Sequence, residues 1–149
     1  MNKQIPISIQ HNISLKSFNT FGMDVKAAAF TEITSEEQLP ALLKLVNTYN
    51  GPVLFLGGGS NLLFTGDFNG LVVHIATKGI EVVDEDEDYV YVRGKAGENW
   101  NDFVQFCVTR NYGGLENLSL IPGNVGSAPI QNIGAYGVEI GRASCRERV

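Results

Sequence analysis

The feature that most constrains this chain is the run Val53-Leu54-Phe55-Leu56-Gly57-Gly58-Gly59-Ser60-Asn61-Leu62-Leu63-Phe64. A short apolar stretch rich in branched and aromatic side chains ends at three glycines, and apolar sequence resumes after Ser60 and Asn61. This reads as a buried strand delivering a bare loop. Glycine lacks a Cβ and reaches positive φ easily, so successive backbone N–H groups can converge and form a concavity of anion size. A phosphate or diphosphate would suit it. The spacing matches neither G-x-x-x-x-G-K-[ST] nor G-x-G-x-x-G, because Leu62 stands where the third glycine of the second pattern falls. A tight surface turn explains the glycines as well, and on these residues alone both readings stay open.

The sequence on the N-terminal side supplies a β-α-β unit. Residues 27–34 have strand character, and Ser35-Glu36-Glu37-Gln38 then forms the S-x-x-[EQ] pattern of a capping box. Leu39, Leu42, Leu43 and Val46 follow at i, i+3, i+4 and i+7, so the expectation is a helix packing that side inward. Pro40 is comfortable only if the helix proper begins near Leu39. Asn50-Gly51-Pro52 stops the helix, and the glycine loop then lies at the C-terminal end of the second strand, where α/β folds commonly hold ligands.

Elsewhere the signals are local. Ile5, Ile7, Ile9 and Ile13 hint at alternation, which fits a short strand or an arm lying on the body. Phe18-Asn19-Thr20-Phe21-Gly22 reads as an aromatic staple under a turn. Asp67-Phe68-Asn69-Gly70 reads as a turn before a strand at 71–75 that carries His74, a structural histidine with no partner nearby in sequence. Residues 80–84 and 89–95 read as a hairpin, with Glu85-Asp86-Glu87-Asp88 as a solvated bend that lacks the spacing of a calcium loop. Asn99 caps a second helix with Asp102 in its first turn, and Trp100, Phe103, Val104, Cys107 and Val108 form its apolar side. Cys107 is then a core thiol, and the glycines of Asn111-Tyr112-Gly113-Gly114 supply a left-handed cap.

Composition narrows the function. At 149 residues the chain makes one ordinary domain or one piece of a larger protein, and 44% hydrophobic with 18% charged residues is globular. A net charge of −5 argues against nucleic-acid binding. No apolar run is long enough to span a membrane and the start has no signal pattern, so the expectation is a soluble cytoplasmic protein. Cys107 and Cys145 share no metal or redox spacing, so neither a disulfide framework nor a metal site is expected.

A second stretch runs from Leu120-Ile121-Pro122-Gly123-Asn124-Val125-Gly126-Ser127-Ala128 through Pro129-Ile130-Gln131-Asn132-Ile133-Gly134-Ala135-Tyr136-Gly137. It is dense in Gly, Ala, Ser and Pro but threaded with Ile and Val, which disordered linkers lack. Two readings arise. In one, its backbone lies close against something flat, with Gln131 and Asn132 offering hydrogen bonds to a heteroaromatic edge. Taken alone, however, it reads as a helix-and-turn segment tucked into the core, because the chain holds no second phosphate-type loop.

Five strings, in this order and at this spacing, resemble the UDP-N-acetylenolpyruvoylglucosamine reductase (MurB) family. They are Asn19-Thr20-Phe21-Gly22, Leu56-Gly57-Gly58-Gly59-Ser60-Asn61-Leu62-Leu63, Gly94-Lys95-Ala96-Gly97-Glu98-Asn99-Trp100, Gly114-Leu115-Glu116-Asn117-Leu118, and Ile121-Pro122-Gly123 through Tyr136-Gly137. The resemblance implies an α+β fold of the FAD-binding type found in vanillyl-alcohol oxidase and p-cresol methylhydroxylase. In that fold residues 1–75 form a small βαβ subdomain and residues 76–140 the incomplete start of a larger α+β one. It further implies that Gly57, Gly58, Gly59, Ser60, Asn61 and Leu62 hold the FAD diphosphate. Ile121, Pro122, Gly123, Gly126, Ser127, Pro129, Gln131, Asn132, Ile133, Gly134, Ala135, Tyr136 and Gly137 would wall the cofactor near the flavin. Relatives in this fold that attach FAD covalently do so through a His in or beside the glycine-rich loop; none is present there, so the FAD is expected to be dissociable.

The activity so implied is reduction of the enolpyruvyl group of a UDP-sugar by NADPH by way of FAD, giving the peptidoglycan precursor UDP-N-acetylmuramate. No nucleic acid, membrane or protein partner is implied. The family's proton-donating Ser or Cys, and its supporting Arg and Glu, lie downstream of the Ala-Tyr-Gly string, so no catalytic residue is expected in this chain, and Ser144 and Cys145 are not substitutes. Residues 141–149 match neither the family nor a core pattern. They resemble a translated sequencing adapter and are expected to be non-native, which the gene sequence past codon 140 would settle. Two rival functions are an FAD-dependent oxidase or dehydrogenase of the same fold, and a flavin-binding module without catalysis.

Overall fold

A computed structural model of the chain describes residues 5–140. The chain divides after Thr77 into two compact units, each with its own core. The tail at 141–149 lies outside the described residues.

In the first unit β1 (Gln10–Ser14), β2 (Lys26–Ile33), β3 (Val53–Leu56) and β4 (Phe68–Ile75) form a sheet in the order β1-β2-β4-β3. β2, β4 and β3 run parallel, and β1 is antiparallel to β2. The N-terminal isoleucines serve both expected purposes. Ile13 lies in β1, while Ile7 packs on the sheet as part of an arm whose Ser8 carbonyl accepts the Thr31 hydroxyl at 2.9 Å. β4 has neighbours on both sides, so its Leu71, Val72 and Val73 are fully buried.

The capping box forms as expected. The Gln38 side chain accepts from the Ser35 N–H at 3.1 Å and the Thr34 N–H at 2.9 Å, closing a 3-10 turn (Glu36–Gln38) that leads into α1 (Leu39–Thr48). Pro40 sits in the first turn of α1, where its missing N–H has no intrahelical partner to lose.

Three expectations fail here. β3 is an edge strand rather than a buried one, with Phe55 56% exposed and only Leu56 buried, because β4 is inserted between β2 and β3. The turn expected at 67–70 is largely the start of β4. Gly70 fits there because a Cβ would stand 2.3 Å from the Pro52 carbonyl oxygen, and only Asp67 keeps a turn-like role, accepting from the Lys26 N–H at 2.8 Å. Finally, α1 buries Leu42 with Leu45, Val46 and Tyr49 against the sheet, while Leu39 and Leu43 are exposed. Both sets satisfy i, i+3, i+4, i+7, and only the sheet beneath selects between them.

In the second unit β5 (Ile80–Glu85) and β6 (Val90–Gly94) make the expected hairpin. Its acidic bend is organised by Asp86, whose carboxylate accepts from the N–H groups of Asp88 and Tyr89 and from the Tyr91 hydroxyl. The Asp88 amide, then the Tyr91 hydroxyl and the Tyr89 amide, hold the Asp86 carboxyl below its ordinary range, and the same bond pushes Tyr91 up. A depressed folded pKa gives stability that is present above the unfolded value and lost as pH falls through the folded one. Tyr91 ring resonances are therefore expected to hold steady down to the ordinary aspartate range and to shift only below it. A midpoint at or above that range would contradict the assignment.

α2 (Trp100–Val108) starts at Asn99, whose side-chain oxygen accepts from the Asp102 N–H at 3.2 Å. Trp100, Phe103, Val104 and Cys107 face a core shared with Leu118, Ala128, Ile133 and Ile140, whereas Val108, expected on that face, is exposed. Burial pushes the Cys107 thiol up, with Arg110 opposing, as befits a core cysteine. The left-handed cap falls on Asn111 (φ 61°) and not on a glycine; the Tyr112 N–H then reaches the Cys107 carbonyl at 2.9 Å. The short strands β7 (Gly134–Ala135) and β8 (Val138–Glu139) close the described chain.

Candidate functional site

The parallel strand β3 ends at Leu56, which is buried and registered against His74 of β4, and the chain leaves the sheet as the glycine loop. Of the three glycines only Gly59 takes positive φ (64°), so the left-handed step falls at one residue rather than three. Gly59 is buried against the 15–23 turn, and a Cβ there would lie 2.1 Å from the Phe18 carbonyl oxygen and 2.8 Å from Asn19 Cα. Its own carbonyl accepts from the Thr20 N–H at 3.3 Å and the Thr20 hydroxyl at 3.4 Å. Among the described residues the N–H groups of Gly58, Gly59 and Asn61 donate no hydrogen bond. These are three acceptor-less backbone donors within 58–61, at the C-terminal end of a parallel strand, and backbone donors so placed are of the kind that can bind an anion. Leu62 turns instead toward the apolar cluster of Leu56, Phe64 and Val72. It also borders a cavity of about 360 Å³ with Leu54, Leu63 and Phe64, which residues 57–61 do not line.

The aromatic staple expected at 18–22 is absent. Phe21 is 63% exposed, and the turn is held by Asn19, whose side-chain amide donates to the Leu15 and Met23 carbonyls (2.7 and 3.1 Å) and accepts from the Met23 N–H (2.9 Å). Phe18 packs on Phe30 and on the ring of His74, at centroid distances of 4.8 and 5.0 Å. His74 has a partner that its sequence neighbourhood did not reveal: Glu32 stands opposite it in the β2–β4 register, at 2.8 Å from Nδ1. A histidine thus does stand beside the root of the glycine loop, brought there by strand pairing.

The second predicted stretch belongs to the second unit, and much of it is tied to its own chain. The Trp100 N–H donates to the Gly123 carbonyl (3.0 Å), the Val125 N–H to Glu98 (2.9 Å) and the Gly126 N–H to Ala96 (3.0 Å). Gly126 is needed for that approach, since a Cβ would stand 2.6 Å from the Ala96 Cβ. The Ser127 hydroxyl donates to the Asn124 carbonyl and accepts from the Gln131 side chain at 3.2 Å, so these two polar groups are engaged internally. Ile133 is buried in the core and Ile121 packs at its margin. Packing within the second unit therefore accounts for Gly126, Ser127, Gln131 and Ile133.

The outward-facing part is smaller. Pro122, Pro129, Asn132, Gly134, Tyr136 and Gly137 are exposed and Ala135 is half-buried, with Tyr136 (φ 53°) and Gly137 (φ 79°) forming a two-residue turn between β7 and β8. Leu120 and Ile130, which sequence reasoning did not single out, are 81% and 87% exposed. Leu120 takes φ 62°, costly for a leucine, and is held there by Asn101, whose side-chain oxygen accepts from the Leu120 N–H and the Ser119 hydroxyl. No propensity signal marks such a residue. A cavity of about 630 Å³ lies among β6, α2 and the 111–115 turn, lined by Val92, Phe103, Tyr112 and Val138, and of the predicted site residues only Pro129 and Gly137 border it.

Residues 27–147 match the family described as FAD binding domain. The UDP-N-acetylenolpyruvoylglucosamine reductase of Flavobacterium johnsoniae is 53% identical over 134 residues, covering 90% of this chain and 39% of the relative. That of Chromobacterium violaceum is 52% identical over the same shares, and that of Bacteroides fragilis 51% identical over 89% of this chain and 40% of the relative. The crystal structure of the Thermus caldophilus enzyme (MurB) superposes with a TM-score of 0.65 over 91% of this chain and 45% of that one; at 24% identity this likeness shows the fold. The chain therefore belongs to the FAD binding domain family with an α+β fold, and it shares about half its residues with UDP-N-acetylenolpyruvoylglucosamine reductases while spanning 39% of the first of them.

Proposed function

We propose that this chain is the FAD-binding portion of an NADPH-dependent reductase that converts a UDP-N-acetylglucosamine enolpyruvate to UDP-N-acetylmuramate, a step of cell-wall peptidoglycan synthesis in the cytoplasm. The observation that carries the cofactor part is the set of acceptor-less amides at Gly58, Gly59 and Asn61 where β3 runs out. Backbone donors fit here better than charged side chains, because the loop offers no Lys or Arg. Gly57, Ser60 and Leu62 complete the loop. In the second stretch, Ile121, Pro122, Gly123 and the exposed residues of 129–137 form the cofactor-facing surface, and Gly126, Ser127 and Gln131 support it.

When bound, FAD would supply hydride transfer between NADPH and the substrate, and this chain's residues would bind and orient it. Proton donation and carboxylate stabilisation fall to residues beyond those present. The proposed organisation is 1–75 and 76–140 as two subdomains with 141–149 non-native. Titrating the chain with FAD and following flavin fluorescence is expected to give a saturable change, released again on denaturation as free FAD. An unchanged signal would remove the reading.

A further inference from the structure

We infer that Asn19 and Thr20 are positioning residues for the glycine loop: Asn19 fixes the 15–23 turn, and Thr20 clamps the Gly59 carbonyl so that the loop's amide donors hold their direction toward an anion. This rests on the reading that the loop grips the diphosphate of FAD.

The turn is held by bonds that do not involve the loop. Leu15 is fully buried and its N–H donates to the Val25 carbonyl at 2.7 Å, so the start of the turn is anchored in the sheet core. Asn19 then spans the turn, its amide using both its donors and its acceptor on the backbone of Leu15 and Met23, and it is only 8% exposed. An aspartate of the same size would set carboxylate oxygens against two carbonyls. With the turn rigid, the Phe18 carbonyl and Asn19 Cα form a wall on which only a glycine Cα can rest.

Thr20 adds the directional element. Its N–H and hydroxyl both point at the Gly59 carbonyl, at distances where each bond alone is weak. A peptide unit is planar and trans, so holding the Gly59 carbonyl toward Thr20 sends the Ser60 N–H of the same unit away from the turn and fixes the backbone that joins the Gly59 and Asn61 amides. The Asn19-Thr20 string is far from the loop in sequence and carries no chemistry of its own. Its place against Gly59 gives it a role that packing alone does not require, since Thr20 is exposed.

Three variants of the full chain test this: Thr20→Val, Thr20→Ser and Asn19→Asp. Because Thr20 is exposed, Thr20→Val is expected to fold with an unchanged thermal midpoint. Backbone 15N order parameters at 57–61, measured without FAD, should fall in Thr20→Val and return to the parent values in Thr20→Ser. The FAD dissociation constant should rise about three- to five-fold in Thr20→Val, with recovery in Thr20→Ser, and further in Asn19→Asp. Loop order that is the same in Thr20→Val as in the parent overturns the inference whether or not FAD binds. Lowered loop order with a parent chain that takes up no FAD overturns the cofactor reading, and the residues' role toward it falls with that reading.

Discussion

Replacing Gly59 with alanine is expected to cost the chain more than about 2 kcal/mol of stability and to abolish measurable FAD uptake. The left-handed backbone at φ 64° alone disfavours any L side chain. The new methyl would also meet the Phe18 carbonyl oxygen at 2.1 Å and Asn19 Cα at 2.8 Å, and these are backbone atoms held by the three bonds of Asn19, so they cannot swing aside. Relief can come only from moving the loop, which displaces the amides of Gly58, Gly59 and Asn61 together. Gly66→Ala is the matched control, since a Cβ there meets nothing within 4 Å, and it should be neutral or stabilising by a few tenths of a kcal/mol up to about 1. Urea unfolding and flavin titration of the two variants give the comparison. A Gly59→Ala chain of parental stability and affinity would refute both the steric wall and the site.

Trp100→Ala is expected to destabilise the second unit by about 3–5 kcal/mol. The indole is 2% exposed, packs on Phe103 at a centroid distance of 5.7 Å and donates from Nε1 to the Leu118 carbonyl at 2.8 Å. Its loss removes the largest side chain from a core otherwise made of Phe103, Val104, Cys107, Leu118 and smaller residues. Trp100→Phe keeps most of the volume but leaves the Leu118 carbonyl without its donor, so an intermediate cost of about 1–3 kcal/mol is expected. Hydrogen exchange should show the loss of protection concentrated in 78–140, with the β2–β4 core of the first unit retaining its own. Equal loss in both units would show that the cores are not separate.

How far the chain could be read before its fold was known follows from the range of the forces involved. The Ser35–Gln38 box, the Asn99 cap, the β5–β6 hairpin and the β3-to-glycine transition were legible because each is decided by residues within a few positions of one another. The five strings resembling the reductase family were legible for a different reason, as a pattern whose order and spacing narrow the choice of fold. The rotation of α1 onto Leu42, Leu45 and Tyr49, the exposure of Phe55, and the Glu32–His74 pair were not legible, because each is set by segments distant in sequence meeting in the sheet.

By itself, then, the amino-acid sequence determined the capped starts of the two helical segments, the β5–β6 hairpin and that a side-chain-free loop follows β3, since caps, glycines and apolar periodicity act over one or two turns of chain. Only the tertiary structure decided that Gly59 must be a glycine, and what Gly126 in the second stretch is small for. Gly59 is obligatory because Phe18 and Asn19, distant in sequence, occupy the space of its Cβ, and Gly126 because Ala96 does. Close approach between distant segments is a property of packing, which no local pattern encodes.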